Sequence, residues 1–242
     1  VVTLGSEGLS KSAAPLEAEV ARRFRRAQRE TGIRRVFGHA GYLINLASTD
    51  RGNLQRSRKS LLDELGRCSL LGLPFLVLHP GAHLGAGEEA GLDRILRSLN
   101  WVFSRYGGKT KLALEATCGQ GTVLGGRLEH LSYLVKQSAH KKSLMVCLDT
   151  CHLFAAGYDL RSTEAIAGFV IEFKRHLAWS RVICVHLNDS KGDLGSRIDR
   201  HELLGKGKIG WRCFKTIVNH PAFARIPLCL ETPKGKNNIN DV

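Results

Sequence analysis

Six short apolar runs in this chain each end in a residue able to bind a metal ion. They are His39 after VFG, His79 after FLVL, Glu115 after LAL, Asp149 after VCL, His186 after ICV and Glu231 after LCL. In parallel α/β architectures the carboxyl ends of the strands converge on one rim, where ligands and catalytic groups collect. One such residue is an ordinary rim side chain. Three histidines and three carboxylates together, without a cation, leave like charges crowded and poorly solvated. Three further candidates sit in segments expected to be loops: His152 in DTCH, and Asp199 and His201 flanking Arg200, which point the same way if the loop is extended. Nine nitrogen and oxygen ligands exceed one tetrahedral site and suit zinc or manganese in a cluster of two or three ions. Four carboxylates bring four negative charges and three divalent ions bring six positive, so a surplus of two remains for an activated water and a phosphate group. That is the electrostatics of phosphodiester hydrolysis.

The elements that must position these residues follow from hydrophobic period. Residues 33–38, 75–78, 112–114, 145–148, 182–185 and 228–230 read as strands, and Val1 to Leu4 as a remnant of one more. Between them, 16–31, 51–71, 88–106, 127–140, 163–179 and 211–220 carry apolar residues at three-to-four spacing and read as helices. The alternation predicts βα units around a parallel sheet in one domain, 1–242, with a Gly-, Ser- and Ala-rich start at 5–14 and a frayed polar tail at 233–242.

Thirty-six Lys and Arg against twenty-two Asp and Glu leave a net charge of +14. That balance favours polyanionic partners, nucleic acid first. No run of apolar residues is long enough to span a membrane, so no membrane association is expected. The seven cysteines form no C-x-x-C pair, which fits a reducing compartment. Cys118 and Cys151 lie beside the candidate ligands and are expected to pack as small apolar residues. His83, four residues past His79, is a candidate for orienting a ligand. His130, His140, His176 and His220 are expected to be solvated.

The runs HAGYLINLAS from His39, FLVLHPGAHLG from Phe75, LEATCGQGTVLGG from Leu114, VCLDTCHLFAAGYDLR from Val146, VHLNDSKGDLGSRIDRHELLGKGKIG from Val185 and LCLET from Leu228 resemble the endonuclease IV family of abasic-site repair enzymes. The resemblance implies a xylose-isomerase-like TIM (β/α)8 barrel and hydrolysis of the phosphodiester 5′ to an abasic site, leaving a 3′-hydroxyl. It implies three Zn2+ per chain, with Mn2+ admitted at one position. His39, His79 and Glu115 would hold one ion, and Glu115, Asp149, His186 and Glu231 a second, with Glu115 bridging. His152, Asp199 and His201 would hold the third. Glu115 and Glu231 are the carboxylates assigned to catalysis. Tyr42 matches a family aromatic at the lesion, and Gln120, Lys191, Arg197 and Arg200 are implied phosphate contacts on the same rim.

The implied partner is double-stranded DNA containing abasic sites, bound by a monomer. The implied residence is intracellular: nucleus or mitochondrion in a eukaryote, cytoplasm in a bacterium. GSEGLSKSAA does not resemble the family loop that wedges into DNA, and a barrel incomplete at its N-terminal strands is expected. Two alternatives are a sugar isomerase or epimerase on the same fold, which needs neither Asp199 and His201 nor the charge, and a DNA-binding remnant without turnover.

Overall fold

The computed structural model describes residues 2–3 and 14–233. The Gly-rich start at 5–13 and the tail from 234 lie outside them. The chain divides into two compact units, Val1–Leu114 with Tyr133–Met145, and Glu115–Ser132 with Val146–Val242.

In the first unit the parallel strands β1 (Val2–Thr3), β2 (Gly38–His39), β3 (Phe75–Leu78) and β4 (Lys111–Glu115) are neighbours in chain order. They alternate with α1 (Ala18–Glu30), α2 (Arg51–Leu71) and α3 (Glu88–Phe103). The four residues of β3 are all buried, as a strand covered on both faces requires. Helix α2 begins where the Asp50 carboxylate accepts from Asn53 N at 2.6 Å. It ends at Gly72 in the left-handed region, φ 76°, with Leu73 N donating to Cys68 O. Its buried residues Ser57, Leu61, Glu64, Leu65, Cys68 and Leu71 recur at three-to-four spacing.

The second unit carries β5 (Leu144–Asp149), β6 (Val182–His186) and β7 (Leu228–Cys229), all parallel. Helix α4 (Leu128–Gln137) divides between the two units at Tyr133, and α5 (Thr150–Ala156), α6 (Thr163–His176) and α7 (Trp211–Asn219) run with these strands. The register of β5 against β6 sets Asp149 beside His186. A short antiparallel ribbon pairs Asp189–Ser190 with His201–Glu202.

The apolar runs and periodic segments all become strands and helices, and Val2–Thr3 adds a further strand. Among the described residues this makes seven parallel strands, one short of a complete (β/α)8 barrel. Two expectations are corrected. The strand expected over 33–38 is only Gly38–His39. Since Gly38 pairs with Leu76, residue 36 falls opposite Pro74, which has no N–H to continue a ladder. The DTCH segment expected as a loop is the first turn of α5. A helix of two turns, buried over Thr150–Ala155, shows no amphipathic period.

Candidate metal centre

His39 is the last residue of β2 and His79 the first after β3, so parallel pairing sets both at the carboxyl end of the first unit's strands. Both are half-buried, with their rings edge to face and centroids 5.4 Å apart. The His39 Nδ1–H donates to Ala40 O at 3.0 Å. A carbonyl only accepts, so the proton is held on Nδ1 and the Nε2 lone pair is presented. Beneath this loop the Glu64 carboxylate of α2 accepts from Gly41 N at 3.3 Å. Burial pushes that carboxyl up to about 7. The next residue, Tyr42, is 85% exposed.

The second unit gathers seven of the nine candidate ligands. Glu115 and Asp149 end strands β4 and β5, and His186 ends β6. The His186 Nδ1 lies 3.2 Å from Glu115 Oε1, 3.0 Å from Glu231 Oε2 and 3.9 Å from Asp149 Oδ2. Asp149 caps α5 by accepting from His152 N at 2.9 Å, which turns the His152 ring inward. That ring donates from Nδ1 to Ala116 O at 3.1 Å and sets Nε2 3.2 Å from Asp199 Oδ1. His201, at the start of its ribbon strand, donates from Nδ1 to Glu231 O at 3.1 Å. Its Nε2 is buried without a hydrogen-bond partner, 3.6 Å from Asp199 Oδ1 and 3.7 Å from Asp149 Oδ2. His152, Asp199 and His201 thus converge on one point, with a ligand atom from each within 4.8 Å of the others.

The donor set fits divalent cations. His39, His152 and His201 each spend Nδ1–H on a backbone carbonyl and so carry their lone pair on Nε2, the arrangement that metal-binding histidines require. Burial alone would lower the pKa of His152 and of His186, but the carboxylates outweigh it. Asp149, with Asp199 and Glu115, holds His152 well above the usual imidazole range. Glu115 and Glu231 raise His186 to about 12. So strong a pull on protons marks a buried surplus of negative charge that a metal ion would satisfy in their place.

Residues outside the candidate set hold this geometry. Asn188, fully buried, donates from Nδ2 to Asp149 Oδ2 at 2.6 Å and accepts from Glu231 N at 2.9 Å, tying two candidate ligands together. Thr150 accepts from Asn188 N at 2.8 Å. Asp189, also fully buried, accepts from the backbone N–H of Ser190, Gly205, Gly207 and Ile209 at 2.8 to 3.0 Å. It thereby folds the loop after the ribbon onto the rim. The one signal for both is the polar pair that follows His186 in HLND.

The remaining candidates stay at the surface. Gln120, Lys191, Arg197 and Arg200 are exposed in the second unit. Lys191 lies 3.9 Å from Glu202 Oε2, and Arg200 donates to Asp199 O at 2.8 Å. Arg197 has φ 54°, a left-handed conformation held by its N–H on Ala155 O at 2.9 Å. His83 is not an orienting partner of a ligand. Its Nδ1 accepts from Gly87 N at 3.1 Å, a local contact at the start of α3. Nor is His130 solvated: it is buried and accepts from Gly125 N at 3.2 Å. Burial pushes the Cys151 thiol up to about 12.

Residues 2–241 match the family described as xylose isomerase-like TIM barrel. A protein of Chloroflexus aurantiacus described as probable endonuclease 4 is 46% identical over 231 residues, 95% of this chain and 81% of its own length. One of Methanoculleus marisnigri with the same description is 45% identical over 219 residues, 90% of this chain and 78% of its own. The crystal structure of endonuclease IV from Thermus thermophilus superposes with a TM-score of 0.84 at 33% identity, covering 98% of this chain and 83% of that one. A D-psicose 3-epimerase from Clostridium cellulolyticum, at 16% identity and a TM-score of 0.65, shares the fold alone.

Proposed function

The chain belongs to the endonuclease IV family of xylose isomerase-like TIM-barrel proteins, and from that membership we propose that it hydrolyses the phosphodiester 5′ to an abasic site in double-stranded DNA. The product left on the primer side is a 3′-hydroxyl. The observation that carries this reading is the convergence in the second unit of Glu115, Asp149, His152, His186, Asp199, His201 and Glu231, with imidazole protons already spent on carbonyls. A sugar epimerase has no use for the Asp199 and His201 arm or for a net charge of +14.

We assign zinc, three ions per chain with manganese admitted at one position, to the nine residues His39, His79, Glu115, Asp149, His152, His186, Asp199, His201 and Glu231. Divalent ions there would supply Lewis acidity, making water a nucleophile at neutral pH and neutralising the phosphate and the leaving oxygen. The protein's own share is positional. Glu115 and Glu231 flank one imidazole nitrogen and set where negative charge is concentrated. The Asn188 bridge holds Asp149 and Glu231 in fixed relation. Tyr42, almost wholly exposed, is free to meet a duplex, and flipping a nucleotide costs least where the base is already missing. Gln120, Lys191, Arg197 and Arg200 meet backbone phosphates.

The test is incision of a duplex with a single abasic site. Incision at the 5′ side that is abolished by a chelator and restored by zinc is the expected result. Binding without incision in the metal-loaded protein would leave a DNA-binding remnant, and turnover of a ketose with no action on DNA would leave the epimerase.

A further inference from the structure

The chain's positive charge is unevenly placed. The first unit holds 21 Lys and Arg against 10 Asp and Glu, a net +11 of the chain's +14. The candidate phosphate contacts Lys191, Arg197 and Arg200 all belong to the other unit, so the rim does not account for the excess.

Much of it lies at the amino ends of the first unit's strands, the end opposite His39 and His79. Four segments lead into or lie beside those ends: 31–37, 72–74, 104–110 and 138–143. They contain Arg34, Arg35, Arg105, Lys109, Lys141 and Lys142, and no Asp or Glu. The segments are contiguous. Lys111 N donates to Pro74 O at 2.9 Å, Thr110 Oγ1 to Leu73 O at 3.0 Å, and Lys111 Nζ to Lys142 O at 2.9 Å. On the other flank Arg25 of α1 donates to Leu70 O. Arg34, Arg35, Lys109 and Lys142 are exposed, and no carboxylate of a described residue is seen within ion-pair distance of them. The outward stripe Arg22, Arg26 and Arg29 of α1 runs towards the same end.

A cation in the last turn of a helix is an ordinary favourable neighbour of the helix dipole, and Arg29 needs no other account. Arg34, Arg35, Lys109 and Lys142 lie outside the α-helices, so the dipole gives them no such reason. The segments that carry them lie at the amino ends of successively paired strands β2, β3 and β4 and beside Lys142, so their like charges repel one another unless an anion lies across them. The partner must be extended and repeatedly charged, since the cations are spread over several separate segments.

We propose that this face is a second DNA-binding surface, which holds the phosphate backbone of a duplex without regard to sequence or lesion, at the end of the first unit's strands opposite His39 and His79. Duplex DNA fits because its charges recur at a few ångströms along the strand and neutralising them releases counterions. It would keep the protein on undamaged DNA, or hold a second duplex, while the rim engages a lesion. The inference is independent of incision: it concerns binding to undamaged duplex and stands or falls without turnover.

The experiment compares the intact protein with the quadruple variant Arg34→Gln/Arg35→Gln/Lys109→Gln/Lys142→Gln by fluorescence anisotropy on an undamaged duplex across a salt series. Affinity should fall at least about tenfold at low salt, and the slope of log K against log salt should become shallower by about one for each phosphate no longer neutralised. Incision of an abasic duplex at saturating protein should stay within about twofold. The Arg34→Lys/Arg35→Lys variant, which keeps the charge, should retain the slope. Thermal unfolding at the parent temperature checks that the variants fold. An undamaged-duplex affinity and slope equal to the parent's would overturn the proposal. So would unchanged DNA binding with lost binding to anionic phosphatidylserine vesicles, which would assign the face to a membrane. Failure of the intact protein to incise an abasic duplex would count against the endonuclease reading alone.

Discussion

At the residue scale, the contrast between Glu115 and His83 is decisive. Glu115 is buried and lies 3.2 to 3.3 Å from both His186 and His152, whereas His83 only accepts from Gly87 N. Glu115→Gln should therefore lower the metal content of the purified protein and abolish incision. His83→Ala should leave the metal content unchanged and cost at most about 1 kcal/mol of helix-start stability. Elemental analysis and calorimetry on the two variants make the comparison; equal metal loss in both would show that ligand and helix-start residue are misassigned. Asn188→Ala is the finer case, because Asn188 touches two candidate ligands, Asp149 and Glu231, and is not a candidate itself. It should weaken metal retention against a competing chelator by about 10- to 100-fold while the fold persists. Metal affinity equal to the parent's would reduce Asn188 to a packing residue. Tyr42→Ala, at a site already in solvent, should lower preference for an abasic over an undamaged duplex more than it lowers affinity for DNA as such. The reverse outcome would remove Tyr42 from lesion contact.

At the scale of the element, the loop from Gly205 to Gly210 has little regular structure and is organised instead by one carboxylate. Asp189 accepts the N–H of Gly205, Gly207 and Ile209 as well as that of Ser190, and a Cβ at Gly207 would run into Ser190 O and the Asp189 carboxylate. Removing a buried acceptor strands several donors at once. Asp189→Ala should cost more than about 3 kcal/mol, or roughly 10 °C in Tm for a chain of this size. Asp189→Asn should fall between, since one oxygen remains. Scanning calorimetry that placed Asp189→Ala within 2 °C of the parent, on the roughly 2–4 °C per kcal/mol scale, would show the loop is held by something else. The helices and longer strands are legible in the chain because each repeats a period over many residues. Helix α5 and the ribbon were not, since two turns and two residue pairs are too short to carry one.

For the whole molecule, a net charge of +14 makes affinity for DNA a matter of ionic strength. Binding to an abasic duplex should weaken steeply between about 50 and 200 mM salt, by a factor set by the number of phosphates engaged. A titration that is flat over that range would favour a small neutral substrate and the epimerase reading. The surplus belongs chiefly to the first unit, although most candidate ligands belong to the second. Mutating rim cations alone should therefore leave much of the salt dependence in place.

The family and the strand ends that carry the candidate ligands were readable along the chain, because each is a local pattern: an apolar run, a polar terminus, a string such as DTCH or HLND. Which atoms face one another was not. His186 meets Glu115 and Glu231 with Nδ1, while His152 and His201 turn Nδ1 to carbonyls and present Nε2. That choice depends on register, which sets Asp149 level with His186, and on the partners that long-range packing brings to each ring. Likewise the basic residues were visible one by one, but only the pairing of neighbouring strands collects Arg35, Lys109 and Lys142 at one end. Hydrogen-bond direction and charge accumulation are properties of neighbours in space, and residues far apart in the chain become neighbours only when the sheet has formed.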